Sequence, residues 1–147
     1  MKIFISTEVN NNLNSIVKKF NQDLFQKLSP PLVDLKVIRF DGCKKGDEVH
    51  LEMKLFGKIH NQWISKITTD EISENEFYFI DEGTLVPAPL KNWKHVHRVR
   101  KIDDSKCLVI DDIEFSTGNT LLDYAIYPAL YAMFSHRKPI YKKELKK

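Results

Sequence analysis

The strongest constraint on this chain is a run of short alternating segments joined by tight turns, closed by one long apolar helical stripe. Residues 33–40, 48–56, 59–69, 76–82, 93–101 and 107–115 are strand-like, most of them alternating apolar and polar side chains as strands with one buried face do. Asp41-Gly42, Lys45-Gly46-Asp47, Gly57-Lys58 and Asp103-Asp104-Ser105 interrupt them. Parallel strands need a crossover of a dozen or more residues, so turns this short predict an antiparallel meander.

Two flanking regions complete the pattern. At the N-terminus, Ile3, Ile5, Thr7 and Val9 share one side of a predicted strand over Lys2–Val9. Asn10, Asn11 and Asn12 follow, and an asparagine side chain can accept from the first backbone N–H groups of a helix. Leu13, Ile16, Val17 and Phe20 then form one helical stripe; Leu24, Phe25 and Leu28 form a shorter one, stopped by Ser29-Pro30-Pro31. Two short helices in a V are predicted. At the other end, Ser116-Thr117-Gly118-Asn119 opens a helix with the stripe Leu122, Ile126, Leu130 and Phe134. Pro128 lies inside it and is expected to kink or restart the helix. Residues 137–147 read as a polar, fraying extension. The expectation is α+β: a curved seven-stranded antiparallel sheet wrapped around a long C-terminal helix, with two short helices between strands 1 and 2.

The 147 residues suit one domain, 1–147, able to bury a core without metal or disulfide. Hydrophobic residues make up 42% and charged residues 29%, which excludes a disordered chain. The net charge of +3 is unevenly placed. Six cationic side chains lie in residues 137–147 against Glu144 alone, so the rest of the chain is mildly acidic. That body lacks the cationic face needed for phosphate contacts, and no nucleic-acid partner is expected. The basic tail reads as a solvated helix end. Cys43 and Cys107 have no CxxC spacing and read as reduced thiols. With no signal-peptide pattern and no membrane-length apolar run, a cytoplasmic protein without stable membrane insertion is expected.

The segments RFDGxxxGDEVHL (39–51), WxSxIT (63–68), FIDEG (79–83), WxHxH (93–97) and DDIxF (111–115), in this element order, resemble a bacterial group of the SRPBCC superfamily. That superfamily includes START-type lipid-binding domains, polyketide cyclases and the pollen allergens. The resemblance implies a helix-grip fold with a ligand cavity between sheet and C-terminal helix. It implies no particular reaction, because function resides in the site and not in the fold.

Alternation assigns the residues that face this cavity. Trp93, His95 and His97 share a face opposite Lys94, Arg98 and Arg100, and the charged set should take the water. Asp111 falls among Cys107, Val109, Ile113 and Phe115; Phe77, Phe79 and Asp81 share a face, as do Leu35, Val37 and Arg39. Trp63 goes with Ser65 and Ile67. Arg39, Asp81, His95, His97 and Asp111 thus form an expected polar set inside an apolar cavity, with Trp63, Phe77, Phe79, Trp93, Tyr127 and Tyr131 as its aromatic lining.

Three readings of the polar set stay open. It can be a satisfied buried network that fixes register. It can anchor the polar end of a lipid, quinone or polyketide-like ligand. It can be catalytic, with His95 or His97 as general base, Asp111 as its orienter and Arg39 stabilising an enolate, the cyclase or dehydratase chemistry that the resemblance suggests. A cavity packed shut would instead suit a protein-interaction module. His95 and His97 at i, i+2 with Asp81 or Asp111 would be the metal version, but no third histidine is well placed, so neither metal nor cofactor is expected. Residues 85–90 (LVPAPL) read equally as a lid or as a packed loop. There is no GxxxxGK[ST], GxGxxG or GxSxG motif.

Overall fold

The computed structural model describes residues 1–147 apart from the side chain of Ile59. Seven strands, β1 (Lys2–Val9), β2 (Val33–Phe40), β3 (Glu48–Leu55), β4 (Ile59–Ile72), β5 (Glu76–Leu85), β6 (Asn92–Lys101) and β7 (Cys107–Ser116), form one sheet. Its order is β1-β7-β6-β5-β4-β3-β2, and every pairing is antiparallel. The meander runs from β2 to β7, and β1 closes against β7 at one edge.

Helices α1 (Leu13–Lys19) and α2 (Gln22–Lys27) carry the chain from the β1 edge to the β2 edge. Each has an asparagine cap. Asn12 accepts from the Ser15 amide and Asn21 from the Leu24 amide, which satisfies early N–H groups that the helix leaves unpaired. Asn119 does the same for α3 (Thr120–Ser135), accepting from Leu121 and Leu122.

The last part of the chain differs from expectation in two ways. Pro128 lies within α3 without dividing it. The division falls at His136, between α3 and α4 (Arg137–Glu144). Pro139 accounts for this, because its ring leaves the Ser135 carbonyl without an amide donor and crowds it. Residues 137–147 also do not fray. Tyr141 and Leu145 are fully buried, Asn11 donates to the Leu145 carbonyl at 2.9 Å, and Lys19 Nζ reaches the carbonyls of Glu144 and Lys146. Lys27 pairs with Glu144 at 2.9 Å. The basic tail is thus a docked helix with an exposed cationic side.

The core divides in two. Under α1, α2 and α4, one cluster joins Val9, Ile16, Phe20, Leu24, Phe77, Phe79, Val99, Val109, Tyr141 and Leu145. Under α3, a second joins Ile3, Ile5, Trp93, Ile113, Phe115 and Phe134. The same strands supply both clusters, so what lies between them is set by strand position. On β1 the intervening inward residue is Thr7, on β4 Ser65, on β6 His95 and His97, and on β7 Asp111, all buried and polar. A polar belt therefore crosses the concave face between two apolar caps.

Candidate functional site

The belt holds a crossed arrangement of ion-pairing groups. In the ladder Asp81 lies opposite His95, and His97 lies opposite Asp111. The side chains bond along the diagonals instead. His95 Nε2 is 2.8 Å from Asp111 Oδ1, and His97 Nε2 is 3.0 Å from Asp81 Oδ2. Diagonal neighbours on one sheet face are within reach of side chains this long. The two imidazole centroids are 3.6 Å apart, and Phe79 stacks on His97 at 4.4 Å with an 11° interplanar angle. An ionised carboxylate only accepts, so each Nε2 carries a hydrogen directed at its aspartate.

Two residues from α4 complete the set. Arg137 Nη1 lies 3.4 Å from Asp111 Oδ1 and its guanidinium sits 4.3 Å from the Phe134 ring centroid. The Tyr141 hydroxyl donates to Asp111 Oδ1 at 3.3 Å. Asp111 thus receives three donors on one oxygen. Burial alone would raise its pKa, but the His95 hydrogen bond and the Arg137 charge outweigh that and hold it at about 2. Burial also opposes ionisation of Asp81, yet the His97 hydrogen bond keeps that carboxyl below its ordinary value. Burial, then the neighbouring His97, push His95 down to about 4 against the pull of Asp111, so its imidazole is neutral at pH 7. Burial and the Asp111 charge push the Tyr141 phenol up, so it stays a donor.

A hollow of about 120 Å³ opens on this belt. Asp81, His95, His97 and Arg137 form its polar side. Leu35, Leu51, Met53 and Trp63 line it from the sheet, Leu130, Met133 and Phe134 from α3, and Phe25 from α2. The lining of β2 and β3 is only half-buried apart from Val49, so the hollow opens on that side. A larger recess of about 410 Å³ at the sheet's rim, lined by Met1, Lys2, Glu82, Lys94 and Glu114 among others, contains none of the buried ionisable groups. The smaller hollow is therefore the candidate site. It lies well below the roughly 300–1,000 Å³ of ordinary small-molecule pockets. Trp63 and Trp93, in edge-to-face contact at 4.8 Å, occupy much of the space toward α3.

Of the residues expected at the cavity, Trp63, Phe79, Asp81, Trp93, His95 and His97 line it, and Asp111 lies directly behind His95. Four others do not line it. Arg39 forms ion pairs with Asp41 and Glu48 at 2.7 and 2.9 Å, its side chain 46% exposed. A β-bulge between Val37 and Arg39 adds one residue to β2 and reverses the face of everything after it. Phe77 lies in the core cluster against Phe20. Tyr127 and Tyr131 stack on each other at 6.1 Å away from the hollow, and Tyr131 is 42% exposed. Arg137 supplies the buried cation that Arg39 does not. Its signal was the spacing Leu130, Phe134, Arg137, Tyr141, Leu145, a helical stripe continuing through the charged tail.

Residues 85–90 do not cover the hollow. Val86 and Leu90 pack on the Trp93 cluster, and a Cβ at Gly83 would strike the Val86 side chain. Neither cysteine takes part. Burial, then the charges of Asp47, Asp81 and Asp70, push the Cys43 thiol up to about 12.

No protein-family model matches the chain, and no curated protein is similar to it. Solved structures are similar in fold. A norcoclaurine synthase point mutant from Thalictrum flavum, in complex with a transition-state analogue, is 12% identical with a TM-score of 0.64, over 95% of this chain and 92% of that one. The ZhuI aromatase/cyclase from Streptomyces sp. R1128 is 12% identical with a TM-score of 0.63, over 92% and 89%. Protein Ms6760 from Mycobacterium smegmatis is 14% identical with a TM-score of 0.62, over 95% and 89%. The chain shares their helix-grip fold, a curled antiparallel sheet with a long C-terminal helix. No helix among the described residues is long and apolar enough to cross a membrane.

Proposed function

We propose that this chain is a single-domain, cytoplasmic binding protein for a hydrophobic or amphipathic small molecule. The polar end of the ligand meets Asp81, His95, His97 and Arg137, and its apolar body runs along Leu51, Met53 and Trp63 toward the half-open β2–β3 side. One observation carries this reading: a hollow with an apolar wall on one side and buried, fully oriented ionisable groups on the other. Satisfied networks fix register without needing a hollow, whereas Asp81 Oδ1 is buried and has no partner. The small volume calls for either a compact ligand or one that extends out of the mouth. Two unpaired thiols suit a reducing compartment. Native mass spectrometry of protein purified without detergent tests the proposal. A co-purified small molecule that is absent from Met53→Trp supports it. A bare polypeptide mass, with no change in Trp63 and Trp93 fluorescence across fatty acids, quinones and aromatic polyketides, overturns it.

A cyclase or dehydratase reading is favoured by a second observation, the His95–Asp111 pair with Nδ1 left to accept a proton from substrate. Arg137, not Arg39, would then stabilise enolate charge. Turnover of a β-keto substrate, lost in His95→Ala, is its test.

A further inference from the structure

The belt offers mostly acceptors. With both carboxylates ionised, Asp81 presents an unpartnered buried oxygen, and His95, held through Nε2 by Asp111, leaves Nδ1 toward the hollow side of the belt. Arg137 is the one cation beside them, and it is turned toward Asp111. One donor atom each from Asp81, His95 and His97 lies within 4.8 Å of the others. Sequence spacing pairs the two histidines but leaves the third ligand undecided. The tertiary structure selects Asp81, whose carboxylate clusters with both imidazoles, whereas Asp111 Oδ1 is already taken by His95, Arg137 and Tyr141.

We propose that Asp81, His95 and His97 form a binding site for a divalent transition ion, with one coordination position open to the hollow. Two imidazoles and one carboxylate suit zinc, which in open sites takes three protein ligands and leaves a fourth position for water or substrate. The existing separation of 3.0 Å between His97 Nε2 and Asp81 Oδ2 is close to that of two ligands sharing one ion at about 2.0–2.2 Å. An ion there replaces the hydrogen shared by this pair, and His97 carries its proton on Nδ1 instead. The support around the site is already in place. Asp111 holds His95 Nε2, the carboxylate–histidine arrangement that orients metal ligands, and Phe79 fixes the His97 ring plane. Phe25 and Phe134 flank the imidazoles at 5.7 and 5.3 Å. This inference concerns the same belt as the binding proposal but does not need an organic ligand.

The test is a titration of untagged, chelator-treated protein with Zn²⁺ against a chromophoric chelator, with no small molecule added. One ion per chain is expected at micromolar or tighter affinity. His97→Ala and Asp81→Asn should each weaken it at least tenfold, and Asp111→Asn by about tenfold through His95 alone. Because these variants disturb a buried belt, wild-type ¹⁵N NMR provides an independent reading. Zn²⁺ should shift the ring nitrogens of His95 and His97 while leaving His50, His60 and His136 unchanged. Millimolar affinity, or shifts confined to the other three histidines, overturns the proposal. A failed zinc titration leaves the mass-spectrometric test of organic ligands untouched, so the two readings fail separately.

Discussion

Replacing Asp111 by leucine should be the most damaging single change in the belt. The side chains are of comparable size, so the main loss is electrostatic. Asp111 Oδ1 accepts from His95 Nε2 at 2.8 Å, Tyr141 at 3.3 Å and Arg137 at 3.4 Å. Removing it strands a guanidinium whose side chain is only 16% exposed, together with two neutral donors. Breaking a buried ion pair from one side costs about 3–5 kcal/mol. Arg137 keeps its Phe134 contact and some access to water, which places the expected loss near 3 kcal/mol. For a chain of this length that is a fall of about 6–12 °C in Tm. The double variant Asp111→Leu/Arg137→Met removes the stranded charge as well. It should be less damaged than the sum of the two single variants by about 2 kcal/mol. Urea unfolding of the wild type, both singles and the double measures all four corners of the cycle. A loss below about 1 kcal/mol for Asp111→Leu, or strict additivity, would refute the assignment of Arg137 and Asp111 as a buried pair.

Other outcomes follow from the same geometry. Arg39→Ala should leave the unfolding midpoint and ligand binding nearly unchanged, since it removes only solvent-screened pairs; a binding defect would return Arg39 to the cavity. In metal-free protein the depressed His95 value makes stability rise with pH between the folded pKa of about 4 and the unfolded 6.5. This contribution, about 3 kcal/mol, is complete above pH 6.5 and lost as pH falls toward 4; unfolding midpoints flat over that window would contradict a neutral buried His95. Cys43 should react with iodoacetamide at pH 8 at least a hundredfold more slowly in the folded protein than in urea, because burial suppresses its thiolate; equal rates would show the thiol to be free.

Much of this protein was written in local sequence. Alternation and short turns determined seven antiparallel strands, asparagine caps placed the helix starts, and the charged partners of β6 forced His95 and His97 inward. These depend on period, turn chemistry and the cost of burying charge, all of which act over a few residues. Tertiary structure decided the rest. Alternation cannot register an extra residue, so the bulge that turned Arg39 outward was invisible. The burial of α4 depends on α1 and β1 receiving Tyr141 and Leu145; the stripe through the lysine-rich tail marks its apolar side but not the elements that receive it. Which histidine bonds which aspartate was settled by side chains reaching along diagonals, two residues away from the pairing that the ladder alone implies.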